Sequence, residues 1–72
     1  MTLKEKFESK YRNLNKEPEI LIVVIKLPSG AKEVISNSSD LDNKVHYYLE
    51  NYDDQFRHVR DSNVQIIDFV LV

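Results

Sequence analysis

The side chains best suited to acid, base or metal chemistry in this 72-residue chain are two histidines and a scatter of aspartates. Asp42 and His46 stand four residues apart, which on a helix puts a carboxylate and an imidazole on one face within reach of one divalent cation. Structural zinc takes about four protein ligands, and neither a cysteine nor a second histidine stands at ligand spacing. The simpler reading is that Asp42 complements a helix N-terminus and His46 is a solvated surface residue. Asp53, Asp54 and Asp61 supply carboxylates for paired acid-base work, but no loop long enough to wall a pocket surrounds them, so cap and turn roles are expected. A single glycine, Gly30, excludes glycine-rich phosphate cradles, and no serine or threonine sits in a nucleophile elbow. The expectation is a protein that is not an enzyme, with no catalytic residue, no metal and no cofactor.

Binding chemistry is better represented. Arg57, His58 and Arg60 form a small basic patch, but three positives are few for a phosphate backbone, because affinity scales with the phosphates neutralised. A solvated loop paired with Asp53, Asp54 or Asp61 is the plainer account. Tyr47 resists a plain account most. Helical geometry turns it away from the stripe Leu41, Val45, Tyr48, Leu49, Tyr52, and tyrosine is enriched at interface hot spots. Tyr47, Glu50, Asp53 and Asp54 combine exposure, one sign of charge and an aromatic anchor, and are the expected partner-binding residues.

Composition supports a folded, non-nucleic-acid-binding domain. Hydrophobic residues make up 42% of the chain and charged ones 31%, the balance of a globular domain. Net charge is −2, unevenly placed: residues 1 to 17 hold five basic and three acidic side chains, whereas residues 37 to 55 hold five acidic ones against Lys44. An acidic second helix has the wrong sign for a nucleic-acid partner. No cysteine is present to staple so small a core, so modest stability or help from a partner is expected. The N-terminus lacks the apolar segment of a signal peptide, and the longest apolar run, Ile20 to Ile25, is far too short to cross a bilayer. A cytoplasmic protein with no membrane partner follows as the expectation.

The elements that must position these side chains can be read from spacing. Thr2 and Glu5 fit a capping box, and Leu3, Phe7, Tyr11 and Leu14 recur at helical spacing, predicting a helix over 3–14. Residues 19–36 read as a hairpin turning at Pro28-Ser29-Gly30, its first strand apolar on both parities and its second more polar, as at an edge. Ser39 and Asp42 suggest a cap for the main helix over 40–52. Residues 53 to 60 fit either a short helical turn holding Phe56 and Val59 inward or a strand from Phe56, and the turn is the preferred reading. Residues 64–72 form a strand apolar on both parities, expected to belong to the fold. The whole is a single α+β domain, α-β-β-α-β, with a three-stranded mainly antiparallel sheet in the order 2-1-3. The main helix covers one sheet face by a right-handed crossover. The N-terminal helix or a second copy in a homodimer is left to cover the other.

The hairpin from Ile20 to Ile35, the helix ending in Tyr52-Asp53-Asp54 and the strand Asn63 to Val72 together resemble small accessory proteins of phages and prophages of Gram-positive bacteria. The Asn, Lys, Asp and Ile usage is also that of an A+T-rich genome. The resemblance spans about residues 19 to 72 and implies a protein that binds a host protein and blocks, redirects or marks it. Phage inhibitors of uracil-DNA glycosylase are similar in architecture, some being acidic dimers that imitate DNA. The five carboxylates of residues 37 to 55 are sparse for such a mimic, so it stands as an alternative. A second alternative is a self-assembling structural subunit whose two-faced apolar strands serve dimer formation, with no separate client.

Overall fold

The computed structural model describes residues 1–72. Helix α1 (Leu3–Arg12) starts where the cap residues place it: Thr2 Oγ1 accepts from the Glu5 N–H at 3.1 Å and the Glu5 carboxylate accepts from the Thr2 N–H at 2.9 Å. That reciprocal pair satisfies two of the amide donors every helix start leaves free. Strands β1 (Leu21–Lys26) and β2 (Lys32–Asn37) form the hairpin, followed by α2 (Leu41–Asn51), β3 (Arg57–His58) and β4 (Asp61–Leu71). The N-cap of α2 is Asp40 and not Ser39; it sits in the left-handed region at φ 54°, and its carboxylate accepts from Asn43 Nδ2 at 2.8 Å rather than from the backbone. Aspartate tolerates that conformation better than most residues because its short side chain bonds locally.

The sheet has four strands in the order β2-β1-β4-β3, all antiparallel, where the sequence pointed to three in the order 2-1-3. The extra strand arises from residues 53 to 60, which turn twice instead of forming a helical turn. The turn at Leu27–Ala31 and the turn at Asp53–Arg57 share one hydrogen-bond pattern. In each, the first residue's carbonyl accepts from the amide three along (Gly30 to Leu27 and Phe56 to Asp53, both 2.9 Å). Its own amide donates to the carbonyl four along (Leu27 to Ala31 and Asp53 to Arg57, both 2.8 Å). Such a loop needs a left-handed residue at its fourth position, and glycine is the usual occupant. Gly30 fills it in one at φ 88°; Phe56 fills it in the other at φ 59°. The second turn therefore carries no glycine to mark it, and two residues of strand follow before Val59 and Arg60 turn the chain into β4. Phe56 points inward, but Val59 is exposed.

A left-handed phenylalanine costs roughly 1–2 kcal/mol of backbone strain. Its ring is 1% exposed and meets Phe7 at 5.5 Å and Tyr52 at 6.1 Å between centroids. Burying such a side chain contributes roughly 1.5–3 kcal/mol and each edge-on pair about 0.5–1.5 more, so burial wins. Phe7 gathers the rest of the core: fully buried, it stands edge-on to Tyr48 of α2 at 6.5 Å and to Phe69 of β4 at 5.2 Å as well as to Phe56.

Because Phe7 and Tyr48 meet over Phe69, both helices lie on the same side of the sheet. Leu21, Val23, Ile25, Ile66 and Leu71 line that side and are buried. The N-terminal helix does not cover the second face. On that face the register places three rows: Ile20 beside Val72, then Ser36-Ile22-Val70, then Val34-Val24-Asp68. A fourth row, Lys32-Lys26-Gln65-Arg57, makes the hairpin end of the face basic.

Phe56→Ala should lower stability by roughly 3–5 kcal/mol, a large share of what a domain of this size holds. Phe56→Gly should be milder than the alanine variant by about 1 kcal/mol, although it removes more, because φ 59° suits glycine. Urea denaturation of the two variants checks this; a glycine variant less stable than the alanine one would refute the strain account.

Candidate functional site

The exposed carboxylates and Tyr47 sit at the end of the molecule where α2 runs out beside the start of α1. Tyr47 is 49% exposed, its ring edge-on to Tyr48 at 5.3 Å, so it touches the buried Tyr48 while about half of it stays open to solvent. Glu50 follows one helical turn later on the same side and is exposed. Asp54, also exposed, lines a groove of about 540 Å³ with Thr2, Lys4, Glu5, Glu8 and Leu49. Three carboxylates thus converge over one half-buried leucine. Lys4 does not neutralise the groove fully, because its ammonium is turned to donate to the Tyr52 carbonyl at 2.5 Å.

Asp53 is differently employed. Its Oδ1 accepts from the amides of Gln55 at 2.9 Å and Arg57 at 3.0 Å, bracing the turn that leads to β3. The Arg57 amide, then that of Gln55 with help from the Arg57 and Lys4 charges, holds its carboxyl below the usual value of 3.8. Of the four residues singled out in the sequence, Tyr47 and Glu50 share a ridge of α2, Asp54 joins a groove, and Asp53 anchors backbone. Glu5 and Glu8 were missed as members of the acidic surface, since α1 reads in isolation as a basic helix. Glu5 is also held low by the Thr2 amide that it caps.

The other chemistry-bearing residues are dispersed. Tyr11 donates its hydroxyl to Asp42 Oδ1 at 2.5 Å, which ties α1 to α2 and raises the phenol's pKa. His46 Nδ1 lies 2.7 Å from the Asp42 carbonyl, so its proton is assigned to Nδ1 and its ring is turned along the helix. His58 Nδ1 accepts from the Arg60 amide at 3.1 Å, and its ring stands edge-on to Tyr52 at 5.1 Å. No three His, Cys, Asp or Glu side chains come together as a cation would require. Burial, reinforced by Tyr47 and Tyr48, pushes the Tyr52 phenol up to about 12, so it stays neutral at any physiological pH. No helix is long and apolar enough to cross a membrane.

No protein-family model matches the chain, and neither a curated protein nor a solved structure matches it.

The Asp53 bonds imply a signed pH dependence. A depressed folded pKa stabilises above the unfolded value of 3.8, and that stabilisation is lost as pH falls through the folded value. Asp53→Ala should therefore lower the urea midpoint at pH 7, with the deficit against wild type closing as pH drops below 3.8. Asp54→Ala, whose carboxylate holds no backbone amide, should leave the midpoint at pH 7 unchanged. Equal effects from the two variants would disprove the division of labour.

Proposed function

We propose that this protein is a non-enzymatic protein-binding module whose client lays a basic segment in the acidic groove between α1 and the end of α2. The observation that supports this most is the convergence of Glu5, Glu8 and Asp54 around Leu49, with the exposed ring of Tyr47 and the carboxylate of Glu50 on the adjoining helix. A client lysine or arginine would find carboxylates there, and its methylene stem would find leucine and tyrosine edges. Hot spots are typically built this way, with an aromatic anchor beside charge that steers the approach. The resemblance to phage and prophage accessory proteins supplies a setting: a host cytoplasm, a host protein as client, and modulation by occupancy rather than by turnover.

A synthetic Lys/Arg-rich peptide, titrated into isotopically labelled protein, tests the reading. Amide shifts should concentrate at Glu8, Leu49, Glu50 and Asp54. Raising salt from 0.1 M to 1 M should erase them, as the screening length drops from about 10 Å to about 3 Å. Glu8→Lys with Asp54→Lys should weaken binding by about tenfold or more while leaving the thermal midpoint in place. A peptide that shifts no residue of the groove, or shifts it equally in the charge-reversed variant, would overturn the reading.

A further inference from the structure

We infer that β2 is the contact edge of a symmetric dimer, in which two copies join their sheets through antiparallel β2-β2 pairing centred on Val34. This goes beyond the proposed groove and does not rest on it, since the groove lies between the helices and β2 lies at the sheet edge.

The argument begins with which backbone groups are free. Antiparallel pairs alternate between those that exchange amide-carbonyl bonds and those that do not. Leu27 donates to Ala31, so the bonded pairs of the hairpin are Ile25 with Glu33, Val23 with Ile35 and Leu21 with Asn37. The other side of β1 agrees: Ile20 and Val72 exchange both bonds at 3.1 Å, so the even-numbered residues of β1 face β4. Lys32, Val34 and Ser36 therefore aim their amides and carbonyls away from the sheet, and all three are exposed.

A second β2 can meet those groups only in a register that sets even residue against even residue. Centring on Val34 uses all three: Val34 meets the partner's Val34, and Lys32 meets the partner's Ser36 on either side of the two-fold axis. On the helix side Glu33 then lies across from the partner's Ile35. No two like charges oppose each other, whereas a register centred on Lys32 would set lysine on lysine. Val34 is 64% exposed, more than any other aliphatic side chain in a strand, and this pairing gives it an apolar neighbour. The β2-β2 contact uses the same edge of both copies, so once it forms neither copy keeps a free β2 with which to add a third. The contact therefore closes as a dimer and does not propagate.

Light scattering over a dilution series of the full chain should show twice the 8.5 kDa chain mass at high concentration, falling toward the single mass on dilution. Val34→Pro removes the outward amide and leaves the β1-β2 bonds intact, so it should be monomeric at every concentration with unchanged circular dichroism. If that variant does not fold, a cysteine scan decides, since the chain has no native thiol. Val34→Cys should oxidise to a covalent dimer, because a bonded antiparallel pair sets Cα atoms about 5.5 Å apart, within disulfide reach. Val70→Cys, in the middle of the uncovered face, should form no covalent dimer. A single mass of 8.5 kDa at all concentrations would overturn the inference, with the edge then open to an extended peptide. Cross-linking through position 70 in place of 34 would also overturn it, by placing the contact on the sheet face.

Discussion

The Phe7 ring is the point on which the fold depends. It joins α1, α2, the second turn and β4 in one contact set, through edge-on meetings with Tyr48, Phe56 and Phe69. Aromatic pairs of this kind favour particular angles, so they orient elements as well as hold them. The core is only eleven buried residues, and without Phe7 the N-terminal helix would have no apolar anchor that is fully buried. Both helices are thereby drawn to one side of the sheet. The exposed second face is the direct consequence, as is the meeting of the two helices along an acidic groove.

The parts of the fold that were legible in the sequence are those with a local physical cause. The capping box at Thr2 and Glu5 starts α1, and the two-parity apolar run of Leu21 to Ile25 marks a central strand. The stripe of Leu41, Val45 and Tyr48 marks the buried side of α2. The fourth strand was not legible, because its turn replaces the expected glycine with Phe56, and the replacement makes sense only once Phe7 and Tyr52 are known to be there to receive the ring. Asp40 displaced Ser39 as the cap for a similar reason: left-handed aspartate gives no local signal before the fold exists. The side on which α1 packs was equally hidden, since amphipathic spacing says that a face is buried but not against what.

The acidic site divides along the same line. Exposure of Tyr47 and Glu50 follows from helical spacing alone, and it is read correctly without coordinates. The separate fates of Asp53 and Asp54, adjacent carboxylates of identical chemistry, depend on where two backbone amides happen to point. Glu5 and Glu8 enter the groove only because Phe7 brings α1 alongside α2. Adjacent residues in the chain therefore serve stability and surface separately, and distant ones combine to build the surface.

The strand order also shapes how the chain reaches its native state. The central pairing of β1 is with β4, so Leu21 waits for Leu71 while the hairpin partner β2 is only a short turn away. Closing that long loop carries an entropic cost that the local hairpin and α2 do not share, and chains dominated by such pairings fold slowly for their size. During synthesis the hairpin and α2 would emerge first, with the apolar side of β1 still lacking its second neighbour. The interval before β4 arrives is when the chain is most open to association with other chains, and the charges of Lys26, Lys32 and Glu33 at the hairpin end stand as gatekeepers through it.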